Sequence, residues 1–160
     1  MNYASWVTSI STLTAIPASD TNLLAVLPDA SVYANNRICR ELDLFAANVR
    51  DGSGSTVAAS RNFNIPTAIG TFLVVNGINI ITPATTAPDS GTRNMLTPVS
   101  LDVLDYMWPS VTGTGVPTMF TYITQDTQTS PAQTQVVFGP WPDAAYRVEV
   151  IGKVQPLPLS

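Results

Sequence analysis

Phe72-Leu73-Val74-Val75-Asn76-Gly77-Ile78-Asn79-Ile80-Ile81 sets the fold class. Two apolar, β-branched runs flank an Asn-Gly pair, and both residues of that pair tolerate positive φ. The sequence therefore predicts a β-hairpin turning at Asn76-Gly77. Upstream, Val49-Arg50-Asp51-Gly52 followed by Ser55-Thr56-Val57 predicts two further short strands around an Asp-Gly turn. Downstream, residues 83–97 hold two prolines and Asp89-Ser90-Gly91, the composition of a loop.

Three strand patterns close the chain. Residues 118–124 carry Phe120 and Tyr122 on one face, with Met119 and Ile123 on the other. Residues 134–138 supply Val136-Val137-Phe138. In residues 145–151, Tyr146, Val148 and Val150 alternate with Arg147 and Glu149, which predicts one wet face. Gly139-Pro140-Trp141-Pro142-Asp143-Ala144 reads as a rigid turn between the last two strands. Thr97-Pro98 is expected to open a short helix near 98–108, with Thr as cap, Leu101, Leu104 and Trp108 as its apolar face, and Pro109 as its end.

The N-terminal region has helical periodicity instead. Trp6, Ile10 and Leu13 share one face over residues 3–16. Asp20 is placed to cap a short helix carrying Leu23, Leu24 and Leu27, and Pro28 suits the first turn of the next helix. That helix shows Ala30, Ala34, Ile38 and Leu42 at a spacing of four. Cys39 lies beside the stripe as a small buried apolar residue. The fold class is α+β: N-terminal helices plus an antiparallel, sandwich-like β unit with a short helix inserted. Residues 1–44 form the helical region and residues 45–160 the β region.

Composition narrows the function. Among 160 residues there are 18 charged side chains, against 20 Thr, 13 Ser and 10 Asn. The 7 basic and 11 acidic residues give a formal charge of -4 and a pI near 4.4, without the basic stripe that phosphate backbones require. The chain has no histidine, so Ser-His-Asp and Cys-His catalysis and His-ligated zinc cannot be assembled from it. A single cysteine excludes an internal disulfide. Lys153 precedes Val154, so no Gly-Lys-Ser/Thr phosphate loop exists. Asp102 and Asp105, three apart, could act as a carboxylate pair, but a solvated helix face explains them more simply. No cofactor, metal or catalytic residue is expected. No stretch approaches a membrane span, and no basic region with an apolar run opens the chain, so a soluble product of a reducing compartment is expected.

Four blocks in order resemble the head-to-tail adaptor (connector) proteins of tailed bacteriophages. They are Arg37-Ile38-Cys39-Arg40-Glu41-Leu42-Asp43-Leu44, Pro98-Val99-Ser100-Leu101-Asp102-Val103-Leu104-Asp105-Tyr106-Met107-Trp108-Pro109, Gly115-Val116-Pro117-Thr118-Met119-Phe120-Thr121-Tyr122, and the stretch from Val137 to Val150 around Gly139-Pro140-Trp141-Pro142-Asp143. The resemblance implies a structural protein of the virion, made in the host cytoplasm and built into the head-tail junction. It forms a homo-oligomeric ring, commonly of twelve copies, that docks on the portal protein and extends the DNA ejection channel. Its far side is the attachment surface for a tail-tube or tail-nozzle protein. Genomic DNA passes through a mildly acidic lumen without tight binding, and no membrane is involved.

Family members carry a further Ala- and Leu-rich helical segment after the terminal strand. Here Pro156-Leu157-Pro158-Leu159-Ser160 stands in its place, and Cys39 occupies a position more often aromatic. Within this resemblance Ile38, Leu42, Arg37 and Arg40 are candidate ring or portal contacts, and a charge at Ile38 or Leu42 is expected to break both folding and assembly. Trp108, Trp141 and Tyr146 are candidate scaffold anchors. The polar segments 51–55, 82–92 and 125–134 and the C-terminal Pro156–Ser160 are expected to order on docking. Another virion module (tail, stopper or adhesive β domain) is the alternative, and a two-carboxylate glycosidase a more remote one.

Overall fold

The computed structural model describes residues 3–42, 47–125 and 133–155, and it is an α+β protein. Helix α1 spans Tyr3–Thr14 and α2 spans Thr21–Glu41. Asp20 caps α2 as expected, its carboxylate accepting from the backbone N–H groups of Asn22 and Leu23 at 2.9 and 2.9 Å. The expected break at Pro28 does not occur, and α2 runs through it. A proline removes one hydrogen bond and kinks a helix, whereas a break would leave two more helix ends with unpaired N–H and C=O groups.

The β region forms two four-stranded sheets. The first has the order β1 (Asn48–Ser55), β10 (Arg147–Gln155), β3 (Thr71–Thr82), β4 (Thr92–Met95), all antiparallel. The second has the order β2 (Asn62–Asn64), β8 (Gln133–Gly139), β7 (Met119–Gln125), β5 (Thr97–Pro98), with β5 parallel to β7. A small parallel pair joins β6 (Thr114–Gly115) to β9 (Trp141–Pro142), inside what reads in sequence as a simple turn. Ile78, Ile80, Val148 and Val150 of the first sheet meet Phe63, Phe120, Val136 and Phe138 of the second in one buried cluster, so the unit is a sandwich. Helix α3 (Leu101–Met107) covers one end and inserts the fully buried Leu104.

Two expected turns are absent. Asn76-Gly77 lies inside the unbroken strand β3, and neither residue has a positive φ. Strand β10 pairs with both halves of β3, Ile151 with Gly77 and Gly152 with Val75, which leaves Asn76 as the extra residue of a bulge. Asp51-Gly52 behaves alike on the other edge of β10. Asp51 pairs with Val150 and Gly54 with Val148, and the intervening residues bulge within β1. A turn-prone dipeptide is absorbed wherever a long partner strand bonds the chain on both sides of it.

Other segments also differ from the sequence reading. Thr97-Pro98 is β5 and not a helix start, because Thr97 and Val99 donate to the carbonyls of Thr118 and Phe120 at 3.0 and 2.9 Å. Proline fits an edge strand, where its neighbours make the bonds. The helix begins after Ser100, whose side chain makes no capping bond. In the segment 82–92 only Thr82 and Thr92 belong to strands; residues 83–91 form the expected loop, tied down where Ala84 packs on the core and Thr85 donates to the Ala145 carbonyl at 3.1 Å. Residues 126–132 of the third polar segment, and residues 156–160, lie outside the described residues.

The face of β10 expected to be wet is sealed at Glu149, which has no exposure. Asn79, its cross-strand neighbour, donates to it at 2.9 Å, and Arg93 Nε spans both carboxylate oxygens at 3.2 and 3.2 Å. Arg50 Nε stands 3.6 Å away on the opposite side. Arg93 also reaches Asp89 at 3.1 Å. The bond it donates to Glu149 holds the Arg93 guanidinium above its usual pKa, so Arg93 stays charged at any working pH. Deleting one member of a buried charge pair leaves the other uncompensated. Glu149→Ala is therefore expected to lower unfolding stability by about 3–5 kcal/mol. Arg37→Ala, which breaks an exposed pair with Glu41, is expected to change it by less than about 1 kcal/mol. Urea melts of the two variants check the contrast, and similar losses would show that Glu149 is not sealed.

Candidate interaction surface

The two long helices bury little of their apolar surface. In α1 only Val7 is buried, Trp6 and Ile10 are half-buried, and Leu13, expected on the same face, is 81% exposed. In α2 the row turned inward is Leu23, Leu27, Ser31, Asn35 and Cys39, of which Leu27 alone is buried. The apolar row Ala30, Ala34, Ile38, Leu42 is exposed, Ile38 at 45% and Leu42 at 55%. Helix α2 thus turns Leu23 and Leu27 inward near its start, and Ser31, Asn35 and Cys39 further on, while Ile38 faces out and Leu42 stands exposed at the C-cap. Cys39 is half-buried, its thiol 3.8 Å from Asn35 Oδ1. A side-chain bond from Gln155 to Asn36 ties α2 to the end of β10.

Helix α1 carries no charged side chain, whereas α2 carries Asp29, Arg37, Arg40 and Glu41. Asp20 is the only charged residue between Tyr3 and Pro28. In α1 the hydroxyls of Thr8, Ser9, Thr12 and Thr14 donate to the carbonyls of Ala4, Ser5, Thr8 and Ile10 at 2.9–3.0 Å. Such back-bonding weakens a helix slightly. It also means that an apolar neighbour can cover the helix without stranding those hydroxyl donors.

The remaining residues singled out in the sequence fall in three places. Arg37 pairs with Glu41 at 2.9 Å on exposed α2. Arg40 lies on the same helix, its side chain outside the described residues. Trp108 ends α3, half-buried, its ring fitted against Gly139, where any Cβ would come within 2.5 Å of it. Trp141 donates its indole N–H to the Trp108 carbonyl at 3.3 Å, and the Arg61 guanidinium sits 5.5 Å over its ring. Arg61 in turn pairs with Asp105 at 2.8 Å. Asp102 is exposed. The supposed carboxylate pair therefore lies on an exposed helix, with one member committed to an arginine. Among the described residues no group of three or more His, Cys, Asp or Glu could hold a metal ion, and no helix is long and apolar enough to cross a membrane.

Tyr146 is buried and anchors the start of β10 through both ends. Thr56 and Tyr146 exchange bonds, Thr56 N to Tyr146 O at 2.9 Å and Tyr146 N to Thr56 Oγ1 at 2.9 Å. The phenol donates to Asp143 at 2.7 Å. Sequence alone misses Glu149, Arg93 and Arg61, because their partners lie 44 to 70 residues away along the chain. No family model matches the chain, and no curated protein matches it.

The bond to Asp143, followed by burial, raises the Tyr146 pKa above its usual 10.0. A group whose pKa is higher folded than unfolded stabilises the fold fully below its unfolded pKa and loses that contribution as pH rises through its folded pKa. Wild-type stability is therefore expected to fall above about pH 10. Tyr146→Phe should be less stable than wild type at pH 8, with the gap closing as pH rises. Thermal melts from pH 8 to 11 check this, and a gap that widens would assign the bond no such role.

Proposed function

We propose that this chain is the repeating subunit of a head-to-tail adaptor ring in a tailed bacteriophage, a structural part with no catalytic task. The observation that carries the reading is the exposed apolar row Ala30-Ala34-Ile38, with Leu42 at the α2 C-cap, beside a helix α1 that carries no charged side chain. Interface cores are apolar and close-packed, and among the described residues nothing covers this row. The four sequence blocks that resemble the adaptor family supply the identity of the assembly. In that reading neighbouring copies cover α1 and α2, the helical end meets the portal, and the opposite end of the sandwich offers the tail protein its seat. The net charge of -4 suits a channel through which DNA slides.

The exposure of Ile38 and Leu42 corrects one expectation from sequence. A charge at either position meets solvent in the monomer, so it should spare the fold and strike assembly alone. Ile38→Asp and Leu42→Asp are expected to keep the far-UV circular dichroism of wild type and a midpoint within a few degrees of it. They should fail to form the rings that wild type forms in negative-stain images and sedimentation. Rings of normal order from either variant would overturn the adaptor reading of this face. Threefold or sixfold wild-type particles would favour the other virion modules.

A further inference from the structure

A recess of about 330 Å³ lies beside the bulge at Asn76, within the size range of small-ligand sites. Among the described residues it is lined by Asn48, Val49 and Arg50 of β1, Asn76 of β3, and Ile151 and Gly152 of β10. Arg50 pairs with Ile151 and Asn48 with Lys153 across the β1–β10 ladder, so Asn48 and Arg50 share the sheet face that carries Glu149. Gly152 adds no side chain to the space. None of the six lining residues is acidic.

Arg50 is held here without its donors being used. Its Nε stands 3.6 Å from Glu149, beyond hydrogen-bond reach, because Asn79 and Arg93 already occupy the carboxylate at 2.9 and 3.2 Å. The Arg50 side chain is 56% exposed, and among the described residues it donates no hydrogen bond. A guanidinium offers a rigid fork of N–H groups that matches the two oxygens of a carboxylate, and each carboxamide offers two more donors. Val49 and Ile151 add apolar walls, and Lys153 adds positive potential on the same side.

We propose that this recess binds a small aliphatic monocarboxylic acid. Its carboxylate sits on the Arg50 fork between Asn48 and Asn76, and its hydrocarbon body lies against Val49 and Ile151. A single negative charge fits best for two reasons. Glu149 lies close behind Arg50 and opposes a second charge. Val49 and Ile151 have no side-chain donor to give a third oxygen, so inorganic phosphate is the poorer match. The inference stands apart from the ring reading and requires no neighbouring copy.

Titration of the isotope-labelled full chain with sodium butyrate at constant ionic strength, followed by amide NMR, tests it. The backbone signals of Val49, Arg50, Asn76, Ile151 and Gly152 are expected to shift together and saturate in the millimolar range, as suits so small a ligand in an open site. Butyramide, the same shape without the charge, should give no saturating shift. Arg50→Gln should weaken butyrate binding at least about tenfold. That change also removes a neighbour of Glu149, so Asn76→Asp serves as a second variant. It leaves the Glu149 network intact, brings a like charge into the recess, and should weaken binding by at least about the same factor. Butyrate shifts that never saturate, phosphate binding as tightly at the same amides, or wild-type affinity in either variant would each overturn the proposal. So would N-acetylglutamate N-methylamide binding at least about tenfold more tightly than butyrate, since the recess would then suit an acidic side chain of a protein.

Discussion

Strand β10 is hydrogen-bonded along both edges, to β1 on one side and to β3 on the other. Its alternating side chains do two jobs. Val148 and Val150 face the second sheet and are fully buried, while Glu149 between them faces out beneath Asn79, Arg93 and Arg50. A slip of one residue would put Glu149 into the apolar cluster and the valines under two arginines. The carboxylate therefore fixes the register that the valines alone would only favour. Gly152 belongs to the same constraint, since a Cβ there would collide with the Val74 carbonyl where β3 bulges.

That dominance explains which parts of the fold were legible in the sequence. Strands β7 and β10 follow from alternation, β8 from the apolar run Val136-Val137-Phe138, and the α2 cap from Asp20, because each of these signals is local. Asn76-Gly77 and Asp51-Gly52 carry equally local turn signals, yet neither turns. Their conformational preference is about 1 kcal/mol, and a ladder continuing on both sides of the pair is worth more. The wetness assigned to Glu149 failed for a related reason. Burial of a charge depends on its partners, and Arg93 stands 56 residues upstream. Alternation gives a side chain's face; it does not reveal what lies over that face.

The candidate surface was legible in a different way. The spacing Ala30-Ala34-Ile38-Leu42 marks an apolar row, which the sequence reading offers as a contact between copies, while expecting a charge there to break folding as well. The row turned inward, with Ser31, Asn35 and Cys39, fits its setting through hydrogen bonds and small volume, such as the tie from Gln155 to Asn36. Periodicity reports that a face is apolar and is silent on whether the covering surface belongs to the same molecule.

A chain that folds alone gains most by turning its most apolar row inward, since each fully buried aliphatic side chain contributes about 1.5–3 kcal/mol. Helix α2 follows this at Leu27, but it leaves Ile38 exposed, as is Leu42 at its C-cap. In the sandwich most inward positions are apolar and Glu149 is matched, although Asp51 is buried with one carboxylate oxygen unpartnered. In the proposed reading, this disagreement between pattern and placement in the helices reflects a surface supplied by neighbouring copies. The same logic applies to α1, whose Ser and Thr hydroxyls bond their own helix at some cost in propensity. That arrangement has little value against water, which satisfies hydroxyls freely. Against an apolar neighbour it keeps four donors from being stranded, which agrees with the proposal that neighbouring copies cover α1.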